Sequence, residues 1–283
     1  MGFDVSWHPI SRKEMFLWYF DRLEEVRAGD RSKLTALAQE HQLGKAEGNE
    51  AFCIARYQEI MDTAAQVGPG EAFDKTHSFI LAAVQGLFRT FYYTRGGLYS
   101  DLVIEQPEMT AYTTPFQAIL GDRLQNPAEN RIYENYCGGV YIGEEQVPRL
   151  LADYESGRAK EALEGCFGST LPVFLKALGH AKAEGLGLLE ATDLVVPNPF
   201  QLQDTSCSTY LMHCDFDGIA LYASAARAQM EEAMRAQGED PAKAQVTWEM
   251  HQSDLPPKQA QQSAPPKRPK KKGMFGRLFG GKD

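Results

Sequence analysis

Residues 73–93 read FDKTHSFILAAVQGLFRTFYY, and this stretch decides the class of fold. Phe73, His77, Ile80, Leu81, Val84, Leu87, Phe88 and Phe91 recur at helical spacing and put apolar side chains on most of the circumference. A helix that is apolar all round has no water-facing side and belongs in the middle of its domain. The expectation is a central helix over 73–93, ended where Gly96 and Gly97 break the pattern, with other elements packed on every side.

Working towards the N-terminus, Asp4 to Pro9 alternates loosely and predicts a short strand or extended entry segment. Ser11 followed by Glu14 has the spacing of a capping box, and Met15, Leu17, Trp18, Phe20, Leu23 and Val26 continue as a helix. Further helices are predicted over Ser32–Gln42 and from Asn49 to before Gly68. Towards the C-terminus, Pro107, Pro115 and Pro127 punctuate 100–130, leaving one short helix from Pro115 to Leu120. Gly138–Ile142 reads as a strand, followed by helices over Gly143–Tyr154, Arg158–Cys166 and Leu171–Glu184. Leu188–Val196 reads as a strand or a helical turn, and Tyr210–Phe216 as a strand. Ile219–Gln237 is an amphipathic helix that stops at Gly238.

The pattern is α+β and predominantly helical, with about eight or nine helices and a few short strands rather than a regular β-helix-β alternation. Residues 1–238 are expected to form one helix-rich globular domain, 239–272 a disordered Pro/Gln/Lys-rich linker, and 273–283 a short apolar hook.

Composition agrees with a globular body: 43% of residues are hydrophobic and 24% charged. No apolar run approaches the roughly 20 residues that cross a bilayer. The N-terminus shows neither a basic start nor an apolar signal core, so export is not expected. Cys53, Cys137, Cys166, Cys207 and Cys214 are odd in number and lack CxxC pairing, which suits reduced thiols in a cytoplasm.

The net charge of −9 conceals a division. Residues 252–283 carry eight cations against Asp254 and Asp283, a net +6, which leaves −15 on residues 1–251. So acidic a body would repel phosphate, and no nucleic acid partner is expected. It suits a protein partner, a basic one above all.

The phosphate-loop pattern GxxxxGK[ST], the nucleophile elbow GxSxG and the zinc helix HExxH do not occur. Gly185 and Gly187 lack the third glycine of a dinucleotide loop. No cofactor is expected. Cys207, His213, Cys214, Asp215 and Asp217 supply the residue types of a zinc site or an activated thiolate within a short segment. The spacing fits neither a finger nor a ribbon, and His213 and Cys214 would face opposite sides of a strand. Small buried thiols beside two loop aspartates is the simpler reading.

His77, set among apolar residues, is a proton-transfer candidate or a hydrogen-bonded core histidine. His8 with Asp4 lines a pocket or packs at the start of the fold. Arg89 and Arg95, flanking Tyr92, Tyr93 and Tyr99, could grip an anion on an aromatic wall, or simply carry polar tips to water. Gly2 and Ser6 match the short MGxxxS myristoylation pattern, where a structural start to the strand is the simpler reading.

The tail carries the sharpest composition shift. Pro256, Pro257, Pro265 and Pro266 interrupt a polar linker. Lys267, Arg268, Lys270, Lys271 and Lys272 then precede Met274, Phe275, Leu278 and Phe279, which share one stripe of a short helix, with Arg277 facing elsewhere. Basic residues joined to four large apolar ones suit weak contact with an anionic membrane surface, or a partner's groove. The function expected is non-catalytic: an adaptor or effector-neutralising protein in the cytoplasm, peripheral to the inner membrane face through its tail. The rival is an enzyme using the Cys/His/Asp residues, with or without a metal.

Overall fold

The computed structural model describes residues 3–66, 77–121 and 138–238. Strand β1 (Phe3–Ile10) leads through the Ser11–Glu14 capping box into α1 (Arg12–Met15), a π-helical turn (Phe16–Phe20) and α2 (Asp21–Arg27). Helices α3 (Ser32–Glu40), α4 (Glu50–Ala65) and α5 (His77–Gln85) precede β2 (Phe91–Gly96). Then come α6 (Tyr99–Glu105), a 3-10 turn (Pro107–Tyr112), α7 (Phe116–Leu120) and β3 (Gly138–Ile142). Helices α8 (Gln146–Glu155), α9 (Lys160–Phe167) and α10 (Leu171–Glu184) lead to β4 (Gly187–Thr192). Three two-residue strands follow, β5 (Val195–Val196), β6 (Ser206–Cys207) and β7 (Cys214–Asp215), before α11 (Asp217–Ala236).

The main sheet is mixed, in the order β3-β4-β1-β2-β7. Strand β1 runs antiparallel to both neighbours, pairing Trp7 with Tyr92 on one side and with Glu190 on the other. Side chains alternate across it. Val5 and Trp7 join Tyr92, Val140 and Leu188 in a core shared with α6, α8, α9 and α10. The opposite face of the sheet, with Ile10, Tyr141, Leu189 and Ala191, packs under the residues of α1–α5 and α7. Phe91 and Tyr93 on that same face meet Ile219 of α11. The fold is thus α+β and mostly helical, a few strands between two helical layers.

The central-helix expectation is half correct. Every residue of α5 is buried, but the helix stops at Gln85, and residues 91–96 form β2 instead of its last turns. Residues 73–76 lie outside the described residues. Two tertiary interactions end the helix. The Gln85 side-chain amide donates to the carbonyls of Pro9 and Thr90 at 3.1 and 3.3 Å. A Cβ on Gly86 would lie 2.6 Å from the Thr209 hydroxyl, so this turn packs against a distant segment with no room for a side chain. Beyond it, alternation wins over helical spacing: Phe91 and Tyr93 face α11 while Tyr92 and Thr94 face α10 and Trp7.

Two further expectations need correcting. The strand expected over Tyr210–Phe216 reduces to the two residues of β7 after a 3-10 turn at Leu211–His213. There the His213 ring bonds the Gly86 carbonyl at 3.0 Å and pulls the backbone out of extension. Helix α6, in a segment read as irregular, starts where the Glu190 carboxylate accepts the N–H groups of Tyr99 and Ser100. Only the folded chain supplies that cap. The linker and hook expected beyond residue 238 lie outside the described residues.

Glycine inside α11 has a tertiary cause. A Cβ on Gly218 would stand 1.7 Å from the Tyr93 carbonyl oxygen, and backbone cannot yield as a side-chain tip can. Gly218→Ala is therefore expected to cost about 3 kcal/mol, the upper end of overpacking effects. Gly179 in the middle of α10 has nothing within 4 Å of its Cβ position, so Gly179→Ala should gain about 0.5–1 kcal/mol from helix propensity. Denaturant unfolding of the two variants checks both signs.

Candidate functional site

An open groove of about 750 Å³ follows α11 from Leu221 to Met230. Its walls are Phe200, Leu221, Tyr222, Ala226 and Met230, with Arg95 from the end of β2 at its floor. The glycine at 218 lets α11 sit directly on β2, so the helix can form one bank of the groove. Leu221, 42% exposed, is the ridge shared with a second hollow of about 550 Å³ lined by Pro172, Val173, Lys176 and Asp217. Ser169, just before α10, lines both.

The electrostatics of this furrow are largely spent internally. The Arg95 guanidinium is bonded to the Asp4 carboxylate, which also accepts the Tyr93 hydroxyl at 2.5 Å. The Tyr222 ring lies 4.4 Å from the guanidinium carbon. Lys176 Nζ bonds Asp215 and Asp217, each at 2.6 Å, and those bonds raise its pKa.

Exposed apolar side chains concentrate in the segment leading into α11. Seven large hydrophobic residues are exposed among those described, and five of them, Val196, Leu202, Met212, Phe216 and Leu221, lie between residues 196 and 221. Between Lys182 and Arg227 the chain has no lysine or arginine, but it has Glu184, Glu190, Asp193, Asp204, Asp215 and Asp217.

The residues singled out from sequence are only partly brought together. Cys207 and Cys214 border one small apolar cluster with Ile219 and Tyr222. His213 points away from them, its Nδ1 on the Gly86 carbonyl and its Nε2 3.3 Å from Glu47. Asp215 and Asp217 are joined through Lys176 rather than to the thiols. Burial raises the thiol of Cys207 to about 11 and pushes Cys214 higher still. Among the described residues no cluster of three His, Cys, Asp or Glu side chains could hold a metal ion. His77 is buried in α5, its Nδ1 2.5 Å from the Tyr19 hydroxyl, in a different core from the furrow. Arg89 is committed to Glu14, at 2.7 Å, and to Glu184. The tail residues Lys270, Lys271, Lys272, Met274, Phe275, Arg277, Leu278 and Phe279, together with Gly2 and Cys137, lie outside the described residues.

Of the buried ionisable groups, Glu190 escaped the sequence reading. His8, expected with Asp4 at a pocket or packed at the start of the fold, is packed, and Asp4 bonds Tyr93 and Arg95 rather than His8. Ser6 Oγ, His8 and Gln85 form a line, with His8 Nε2 2.9 Å from the hydroxyl and Nδ1 2.6 Å from Gln85 Oε1. Because Gln85 spends its amide hydrogens on carbonyls, its oxygen accepts, so Nδ1 carries the proton and the single Ser6 hydroxyl hydrogen is shared between Nε2 and the Ala191 carbonyl at 3.3 Å. The connectivity is that of nucleophile, base and orienter, yet all three side chains are 1% exposed or less and His8 stacks on Phe91. No substrate reaches that oxygen, so the line holds strands together. Burial drives the His8 pKa down to about 3.

Glu190 is fully buried on β4, its oxygens accepting the backbone N–H groups of Tyr99, Ser100 and Val140 at 2.6, 3.1 and 3.2 Å. Burial raises its pKa to about 7, against the downward pull of those bonds. The one signal in the sequence was a lone carboxylate inside the apolar run Leu188–Ala191.

The fold is thus α+β, with a furrow of mostly apolar lining beside α11. No family model, curated protein or solved structure matches the chain.

The two buried groups pull stability in opposite directions with pH. Glu190, raised from 4.5 to about 7, contributes stability that is complete below pH 4.5 and is lost as pH rises through 7. His8, lowered from 6.5 to about 3, contributes stability that is present above 6.5 and is lost as pH falls towards 3. In Glu190→Gln the pH-independent amide loses an acceptor at every pH. The stability difference between wild type and variant should therefore shrink by about 3 kcal/mol between pH 4.5 and pH 8, as thermal unfolding would measure. The raised thiols give a second expectation. At pH 8, Cys207 and Cys214 should label with a thiol reagent more slowly than a model peptide by on the order of a hundredfold. One thiol labelling at the peptide's rate would restore the nucleophile reading.

Proposed function

We propose that this chain is a non-catalytic interaction protein, an adaptor or neutraliser, whose acidic body takes a basic protein partner. Its basic, apolar C-terminal segment makes weak contact with an anionic membrane surface. The charge division carries this reading: +6 on residues 252–283 against −15 on residues 1–251. Opposite charges separated along one chain give each part a different class of partner. The mostly apolar furrow beside α11, with Leu221 42% exposed between its two hollows, supports a binding role for the body.

Magnitudes set the strength of the tail contact. Basic residues near an anionic leaflet contribute about 1 kcal/mol each. The four apolar side chains contribute roughly 1.5–3 kcal/mol each when fully buried, and ordering the backbone costs about 1 kcal/mol per residue. The remainder is small, so attachment is reversible and sensitive to salt.

Co-sedimentation with vesicles tests the tail in the full chain. Wild type should pellet with anionic vesicles at low salt, stay in solution with neutral ones and be released at high salt. A variant carrying Lys270→Gln, Lys271→Gln, Lys272→Gln, Phe275→Ser and Phe279→Ser should lose at least tenfold in vesicle affinity. Equal pelleting of both forms, or of neither, removes the membrane from the function.

A further inference from the structure

The geometry points to a separate binding site, a hollow of about 410 Å³ that takes a small carboxylic acid with a flat apolar body. It is built from α1, the π-helical turn, the end of α3 and the segment after α5, and it shares no residue with the furrow beside α11. Such a site goes beyond the interaction role and does not depend on it.

The wall comes first. Leu17, Trp18 and Phe88 line the hollow, and His41, just after α3, adds a ring 5.1 Å from that of Trp18. Trp18 stacks on Phe88 with centroids 4.6 Å apart and meets Tyr57 edge-on at 5.7 Å. Its carbonyl accepts the Tyr57 hydroxyl, so the tryptophan is held through both ring and backbone. The turn that carries it, Phe16–Phe20, is π-helical, a rare form that recurs at functional sites. Fixed rings suit a flat ligand, because little side-chain freedom is lost when it arrives. The volume lies in the range of small-molecule pockets.

Hydrogen-bonding capacity then selects the polar end. The one carboxylate in the lining, Glu14, is fully used. Its Oε1 accepts from Arg89 Nη2 at 2.7 Å, and its Oε2 accepts from Arg89 Nη1, the Ser11 N–H and the Ser11 hydroxyl at 3.0, 2.9 and 2.9 Å. Glu184 lies 3.2 Å from Arg89 Nε, and its other oxygen is 3.0 Å from His180 Nε2. Arg89 and its acids are therefore closed on one another. Lys13 and His41 are what the lining has left: Lys13 is exposed and in no ion pair among the described residues, and the exposed His41 ring makes no hydrogen bond there.

Position makes Lys13 more telling than a lysine elsewhere on the surface. It sits in the first turn of the helical run Arg12–Arg27, where the helix dipole disfavours a cation. Arg12 beside it is compensated by Glu144 at 2.9 Å, whereas Lys13 has no such acid. A carboxylate in the hollow relieves that conflict while its apolar body lies against Leu17, Trp18 and Phe88. An amine of the same shape is repelled by Lys13 and finds no carboxylate free to pair with it.

The test titrates nitrogen-15-labelled full-length protein with indole-3-acetate and follows the amide chemical shifts. Wild type should bind with a Kd of about 1 mM, the range for a ligand of about a dozen heavy atoms, and the amides of Lys13, Leu17 and His41 should shift most. Indole-3-acetamide, the neutral analogue, should bind about fivefold more weakly, and tryptamine, the cationic one, should leave those amides unmoved. Lys13→Glu should weaken indole-3-acetate binding about tenfold. Lys13→Gln should lose about threefold, and it covers the case in which the glutamate variant fails to fold. Lys160→Glu makes the same change of charge on α9 and should leave binding within about twofold. The site is overturned if indole-3-acetate leaves those amides unmoved, or if the amide or the amine binds as tightly. It is overturned equally if both Lys13 variants bind like wild type, or if Lys160→Glu weakens binding as much as Lys13→Glu.

Discussion

A strand with both faces buried constrains the rest of this protein. β1 lies between β4 and β2, so Val5 and Trp7 must be covered by one helical layer and Ser6, His8 and Ile10 by the other. Every polar atom on it then needs a partner from a remote part of the chain. Trp7 Nε1 donates to the Thr94 hydroxyl at 2.9 Å, and His8 is held by Gln85 at the end of α5. Those bonds fix where α5 stops and where β2 begins. The placement of α11 follows, since it is seated on Tyr93 of β2.

The same logic places a carboxylate in the core. Glu190 faces the layer that contains α6 and gathers three backbone N–H groups from two elements, at a site so close that Gly139 can carry no Cβ. It works as a non-local helix cap and a rivet between β4 and β3. A neutral imidazole on one face of the sheet and a raised carboxyl on the other make opposite demands on pH, so the most stable condition is a compromise between them.

On the surface, pairing decides what is left for recognition. Arg95, Arg56 and Lys176 are paired with Asp4, Glu59, Asp215 and Asp217, while Arg227 of α11 stands exposed. What remains beside the first turns of α11 is the apolar ridge at Leu221. Exposed ion pairs like these contribute little to stability. Their larger effect is to remove Arg95 and Lys176 as free anion-binding groups.

Local signals were enough for the elements whose cause is local. The capping box at Ser11, the all-round burial of α5, the extended entry at Asp4 and the long amphipathic helix ended by Gly238 each follow from neighbours within a few residues. The charge division between body and tail is likewise a property of the chain alone. Tertiary structure decided the rest. Residues 91–96 hold helical spacing and strand alternation at once, and only pairing with β1, some 87 residues away at the Trp7–Thr94 bond, chose the strand. Arg95 looked available for an anion until Asp4, 91 residues distant, took it. His213 and Cys214, adjacent in sequence, were parted by the Gly86 carbonyl. The furrow is built from segments far apart in the chain, and periodicity reports only which side of an element is apolar, never which distant element will cover it.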